Sequence, residues 1–414
     1  MIPEAHAAFT PARLRRARIA VAALFLVNGS MLANVLPRLP AIKDALGLSN
    51  AELGAAIAAG PVGGIVAGAL TGLFVARFGS AAVAVVCGVG YALALVGVGL
   101  APSWLALAGT LLCLGALDAV MDAAMNAHGV VVQRHYGRSI LHGLHGLWSA
   151  GTLVGGATAA VAAALGVPLA VHLAVVAGAY AILTLAVSPW LLGGREVDER
   201  HQEDADERSG AATALSPLRL ARRLWPVALA GLLGVTLEDA AQTWSSVYLA
   251  EVLAAGLGVA AIGFVVYTAM MTLGRLTNDR WIDRWGNVAV ARAGGWIASA
   301  GLAVVAVGGF AGLVPVVIAG FALVGIGASP IFPAMVDAAA HRPGVRSADA
   351  IASVSWTARF GFFVAPLLVG ITADLVGLAT AFVLPLAAGL ACAALAPAFR
   401  RRDTPPEPAG AIRR

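Results

Sequence analysis

Asp118, Asp122, Asn126 and His128 fall together in DAVMDAAMNAH, inside a run otherwise built from Leu, Ala, Val and Gly. An ionisable side chain within hydrocarbon costs at least a few kcal/mol, so each needs a partner or a task. The spacing i, i+4, i+8 of Asp118, Asp122 and Asn126 drifts only about 40° per step on an α-helix and predicts one polar stripe. His128 lies off that stripe toward the helix end and reads as an interfacial residue. His142 and His145 share a face on the next apolar segment, where His145 reaches the depth of Asp122. A carboxylate beside an imidazole can exchange a proton near neutral pH, which makes Asp122 and His145 candidates for proton coupling. Asp118 and Glu238 are further candidates. A static Asp–His bridge tying two helices together is the alternative.

Glu238 and Asp239 fall near the middle of one later segment and Arg359 near the middle of another. Arg359 is expected to pair with Glu238 or Asp239, or to bind an anionic group on a substrate. Trp148, Trp244, Tyr248, Tyr267, Phe332 and Trp356 lie near these charges and offer flat faces to a sugar or an aromatic solute. The substrate-binding candidates are Asn34, Asn126, Trp148, Glu238, Trp244, Phe332, Trp356 and Arg359. Arg38 reads as a snorkelling residue at the end of the first segment. Gly68 with Gly72, and Gly151 with Gly155, read as faces for close helix contact.

The elements that position these residues follow from composition. Of 414 residues, 60% are hydrophobic and 12% charged, and the mean hydropathy is +0.86, a balance that points to an all-α integral membrane protein. A spanning helix needs about 20 apolar residues. Twelve such segments are read at 17–39, 51–76, 81–101, 104–131, 140–165, 168–192, 225–250, 256–278, 288–311, 314–337, 348–371 and 376–398. The long polar stretch from GGREVDER to RLARR separates them into a six-helix half over 1–192, a linker over 193–224, and a second six-helix half with a short tail over 225–414. Arginines recur at every second connection, from Arg13, Arg15, Arg16 and Arg18 to Arg400, which predicts cytoplasmic termini and linker in an inner membrane.

The net charge of +5 does not cluster on a soluble face, so nucleic acid is not expected as a partner. Cys87, Cys113 and Cys392 lie singly in apolar segments, and neither a metal site nor a cofactor motif is read. No catalytic constellation is present, so an enzyme is not expected.

The halves echo each other. GLFVARFGS, with Arg77 and Gly79, follows the second segment; DRWIDRWGN, with Gly286, follows the eighth, 207 residues later. These features resemble the major facilitator superfamily, whose members have two six-helix halves and a short Gly, Asp and Arg gating motif after spans two and eight. The second copy fits well through Gly274, Arg275, Asp279, Arg280, Asp283, Arg284 and Gly286. In the first, Ala76 replaces the usual Asp and Ser80 the usual basic residue. MDAAMNAHG, HGLHGLWSAG, LPRLPAIKDALGLS, EDAAQTWSSVYL and PLLVG resemble a bacterial inner-membrane branch related to fucose permease, with departures at Arg359, Asp239 and Thr243. The resemblance implies a monomeric secondary transporter of a small organic solute, sugar-like or otherwise polar, working by alternating access and coupled to protons. Proton-driven multidrug efflux is the alternative, although span five carries GTLVGG in place of a Gly-Pro pair. A non-transporting membrane sensor is the reading from another class.

Overall fold

The computed structural model describes residues 9–193, 217–343, 345 and 347–400; residues 194–216 of the expected linker, Arg346, the tail beyond Arg400 and the side chain of His142 lie outside the described residues. Large apolar side chains such as Val86, Leu105, Leu165, Ile182, Leu276 and Phe310 are turned outward, while Asn28, Asn34, His128, His172 and Thr184 are buried. This inversion of the soluble pattern suits lipid as the solvent.

Among the described residues, twelve helices are long and apolar enough to cross a membrane: Pro11–Leu46, Asn50–Gly68, Ser80–Leu100, Trp104–Tyr136, Gly143–Ala164, Leu169–Trp190, Arg219–Leu253, Leu257–Trp285, Asn287–Phe310, Val314–Ala340, Asp349–Val376 and Leu378–Phe399. They are called spans 1 to 12. An even number of spans puts residues 9, 193, 217 and 400 on one face, here the linker face, opposite the far face. Several spans run beyond their sequence-read limits. The helix of span 7 starts at Pro217, inside the expected linker, because charged residues such as Arg219, Arg222 and Arg223 extend a helix into water as readily as apolar ones do.

Local chemistry sets the ends. Thr10 Oγ1 accepts from Arg13 N–H ahead of span 1, Ser49 and Glu52 form a reciprocal capping box at span 2, and Ser103 caps span 4. Gly79 and Gly286 both have φ of +80° and both end a helix through an N–H donated four residues back, to Val75 and Ile282 respectively. Equivalent turns that need glycine, at equivalent places in the two halves, are what a duplicated six-helix unit requires.

Span 1 is broken between Ala33 and Leu39 by a 3-10 turn at Leu36–Arg38, where Pro37 and Pro40 withhold backbone N–H donors. The break turns Arg38 inward beneath the connection between spans 5 and 6. Arg38 is therefore not a snorkelling residue: it is 5% exposed, and its Nη2 donates to the Val167 carbonyl at 2.8 Å.

Within each half, glycines bring backbones together. A Cβ at Gly115 would overlap the Gly60 carbonyl between spans 4 and 2, and one at Gly151 or Gly155 would overlap the Leu26 or Ser30 carbonyl of span 1. Gly68 and Gly72 do not act this way. A Cβ at either would meet nothing within 4 Å, because they lie toward the linker face, where the halves stand apart.

The halves meet through spans 2 and 11 and spans 5 and 8, and the polar contacts between them gather at the far face. Asp374 of span 11 accepts from the N–H groups of Asn50 and Ala51, both at 2.9 Å, at the start of span 2. Lys43 pairs with Glu251 and donates to Asn50 Oδ1 at 2.8 Å, and Ser246 Oγ donates to the Leu36 carbonyl at 3.1 Å. A carboxylate at a helix N-terminus is worth roughly 1 kcal/mol, or about fivefold in a population ratio. Asp374→Asn is expected to favour the far-open state by that factor. Spin labels at Pro102 and Ala311, on far-face loops of the two halves, should report a larger long-distance fraction in the variant; an unchanged distribution would remove Asp374 from the closure.

Candidate functional site

The stripe on span 4 forms as the spacing predicts, and its surroundings come from four other spans. Asp118 Oδ1 accepts from Asn28 Nδ2 at 2.9 Å, and Asn28 Oδ1 accepts from Trp148 Nε1 at 2.8 Å. Tyr91 of span 3 lies against the Asp118 carboxylate. One turn toward the linker face, Asp122 Oδ1 accepts from Asn126 Nδ2 at 3.1 Å, and the same amide also donates to the Asp122 carbonyl at 2.9 Å. His145 is close enough for its charge to act on Asp122, and its ring meets Phe25 edge-on at 5.3 Å. The two groups thus lie near one another on neighbouring spans of the N-terminal half.

Arg359 departs from expectation. Its guanidinium reaches into the N-terminal half, where its Nη1 would lie 3.5 Å from a Cβ on Gly64, beside Ala119 of span 4. There its charge acts on both Asp118 and Asp122. It does not pair with Glu238 or Asp239. Glu238 Oε1 instead accepts from Arg275 Nη2 at 3.2 Å, and Asp239 Oδ1 accepts from Thr243 Oγ1 at 3.1 Å. Spans 8 and 11 both pack on span 7, so the difference lies in direction: Arg275 turns toward Glu238, whereas Arg359 is directed at Gly64 of span 2, away from span 7.

Asp118, Asp122, Asn126, Trp148 and Phe332 are partly exposed, His145 and Arg359 are exposed, and Trp356 is 55% exposed. Exposed charged groups within spans 5 and 11, together with polar contacts between the halves that gather at the far face, point to a cleft between the halves that opens to the linker face. Two other candidates lie outside it. Asn34 is fully buried in the N-terminal half, donating to the Ser30 carbonyl at 2.7 Å and to Tyr180 Oη at 3.3 Å, while its Oδ1 pairs with His172 Nε2 at 3.2 Å. Trp244 is 0% exposed and packs near Gly54 at the closed far side. Residues on a face of a helix read alike in sequence, and only the closed gate separates Trp244 from the cleft.

His128 lies at the level of the span ends, as expected of an interfacial residue, but it does not face solvent. It is fully buried, with Nδ1 paired to Ser80 Oγ at 2.9 Å and Nε2 accepting from Leu192 N–H at 3.3 Å, so it fastens spans 3, 4 and 6. In the gating motif, Gly274 packs on Ser329 and Asn278 donates to Ser329 Oγ at 3.1 Å. Asp279, Arg280, Asp283, Arg284 and Gly286 are exposed, as is Arg77 of the first copy, with Gly79 half-buried beside it. Arg77 lies over Phe78 and Arg284 over Trp285, as expected where the linker face is open and the motif spans no closed interface.

Spacing alone does not single out Asn28 or Tyr91, and it reads Arg275 only as part of the gating motif and not as the partner of Glu238. Each is a polar residue inside an apolar run, and that is the signal the sequence offers for them. Among the described residues, no group of three or more His, Cys, Asp or Glu side chains is placed to hold a metal ion.

Removing one member of a buried ion pair leaves the other uncompensated, at a cost of about 3 kcal/mol. Arg275→Gln is expected to lower thermal stability by that order, with Glu238→Gln in the same chain restoring most of it. Arg359→Gln should be relieved by Asp118→Asn or Asp122→Asn and not by Glu238→Gln. Melting of the purified single and double variants checks both; relief of Arg359→Gln by Glu238→Gln would contradict the pairing seen here.

The Major Facilitator Superfamily family model matches residues 21–346 and again 247–413. The uncharacterized transporter y4wD of Sinorhizobium fredii is 30% identical over 381 residues, covering 92% of this chain and 97% of that one. Among solved structures, the nucleoside transporter NupG superposes with a TM-score of 0.72 at 16% identity, covering 92% of this chain and 98% of that one. A D-xylose-proton symporter gives 0.73 at 12% identity, covering 94% and 99%. The two structures are similar in fold alone, but the family match and the relative span nearly the whole sequence. The chain belongs to the major facilitator superfamily and is a multi-pass membrane transporter, not an enzyme.

Proposed function

We propose that this transporter moves a small, polar, hydroxylated organic solute through the cleft by alternating access, coupled to protons through Asp122 and His145 with Asp118 beside them. The observation that carries the reading is the polar cluster itself: two carboxylates on one half faced by Arg359 from the other, with partly exposed Trp148 joined to it through Asn28 and exposed Trp356 on the same span as Arg359. Hydroxyl groups can both donate to the carboxylates and accept from the guanidinium, and indole faces suit the apolar face of a sugar ring. The resemblance to the fucose permease branch, and the sugar or nucleoside named for the two structural neighbours, favour the same solute class. Glu238 is left out of the proton path because Arg275 already holds it.

The arginine distribution supports cytoplasmic termini, and with that orientation the open linker face is the inward-facing state of a bacterial inner-membrane protein. Asp122 and His145 then meet the cytoplasm while the far face is shut. Proton release to the inside needs that arrangement.

Two measurements test the reading. A ligand at a hundred times its Kd stabilises by about 2.7 kcal/mol, so a melting screen of sugars, nucleosides, carboxylates and drugs should single out a hydroxylated class. In proteoliposomes, Asp122→Asn should abolish accumulation driven by a pH gradient while keeping equal-concentration exchange. Wild-type flux indifferent to a pH gradient would leave facilitated diffusion in place of coupling.

A further inference from the structure

Asn28 stands between a carboxylate and an indole, and its amide can face them in one sense only. An indole N–H is always a donor. Trp148 Nε1 therefore fixes Asn28 Oδ1 toward span 5 at 2.8 Å, and Nδ2 must point to Asp118, where it donates at 2.9 Å. Asn28 is 4% exposed, so its amide has little access to water as an alternative partner.

We propose that the Asn28 amide is a positioning element that ties the orientation of Trp148 to the charge on Asp118, so that a proton taken up by Asp118 loosens the indole at the wall of the cleft. This rests on the reading of the span 4 carboxylates as proton acceptors. With Asp118 ionised, the chain from indole N–H through the amide to the carboxylate is charge-assisted, and each bond polarises the next.

Protonation removes that assistance in either of two ways. A proton on Oδ1 sets a donor against Asn28 Nδ2; turning the amide over then sets Nδ2 against the indole N–H, again donor against donor. A proton on Oδ2 leaves Oδ1 as a neutral carbonyl and a weaker acceptor. In both cases the hold on Trp148 weakens. The groups facing Asp118 are Asn28 from span 1, Tyr91 from span 3, Asp122 from its own helix and Arg359 from span 11, with His145 of span 5 acting on Asp122. The Arg359 guanidinium attracts a charged Asp118 and so supports the indole-holding arrangement, while a charged Asp122 repels it.

The test needs no substrate. In the full chain labelled with 5-fluorotryptophan, the Trp148 resonance is assigned as the one missing from Trp148→Phe among the nine tryptophans, and its fluorine shift is followed with pH in lipid nanodiscs. The wild-type resonance is expected to move with pH, and the movement to be lost in both Asn28→Leu and Asp118→Asn. The other tryptophan resonances report whether each variant is folded. A Trp148 resonance that ignores pH in the wild type, or that titrates unchanged in a folded Asn28→Leu or Asp118→Asn, would overturn the proposal and leave Asn28 a static tie. Flux indifferent to a pH gradient overturns the coupling reading instead, since the spectra alone decide the link between Asp118 and Trp148.

Discussion

Hydrocarbon offers no hydrogen bonds, and every polar group carried into the membrane must find its partner within the protein. The interior of this transporter is arranged around that demand. His128 satisfies both ring nitrogens on spans 3 and 6. Asn34 joins spans 1 and 6, Asn28 joins spans 1, 4 and 5, and Glu238 with Arg275 joins spans 7 and 8. Each bond ties spans of the same half. Glycines such as Gly115 and Gly151 add backbone contact that no larger residue permits, and that contact is a main source of attraction between helices when lipid is as apolar as the helices are.

Between the halves glycines also allow close approach, Gly54 against Pro366 and Gly370 against Asn50, but the polar contacts are of another kind. Asp374 on the start of span 2 and Lys43 with Glu251 lie at the far edge, where water can replace them when they part. Ion pairs and helix-end contacts near water are worth about 1 kcal/mol or less each, so the polar part of the far-face closure is weak beside the fasteners within a half. Losing a fastener inside a half costs several times more. The halves therefore move as units, and the interface between them is the part that changes.

Periodicity and composition make the fold legible in the sequence: apolar length marks the spans, and Gly79 and Gly286 mark the repeat through a turn that requires glycine. The stripe of Asp118, Asp122 and Asn126 is legible for the same reason, since its spacing lies within one helix. Partners between helices are less so. The Asn28–Asp118 bond joins residues 90 apart and the Asp374–Asn50 bond residues 324 apart, and spacing within a helix says nothing about which neighbour a side chain meets. For Arg359 only depth is readable, and depth points to the carboxylates of its own half; its side chain is directed instead at span 2 of the other half, and Arg275 holds Glu238. Asn34 and Trp244 have the polarity and shape of binding residues, but the break in span 1 and the closed far gate bury them.

The two halves have diverged most where the cleft needs asymmetry. Asn28 and Glu238 lie 210 residues apart, close to the repeat offset, yet one is a neutral amide holding Asp118 and the other an acid neutralised by Arg275. The charge of the C-terminal half that remains for the cleft is Arg359, and it faces two carboxylates. A cluster with one more carboxylate than guanidinium becomes costly once the cleft closes and excludes water, and a neutral solute does not remove the surplus. A proton does, whether carried by a carboxylate or by His145 against Asp122. On the proposed reading, the solute and the proton therefore meet different needs of one site: the solute fills the hydrogen-bonding positions and the proton balances the charge, so the cleft is best satisfied when both are present.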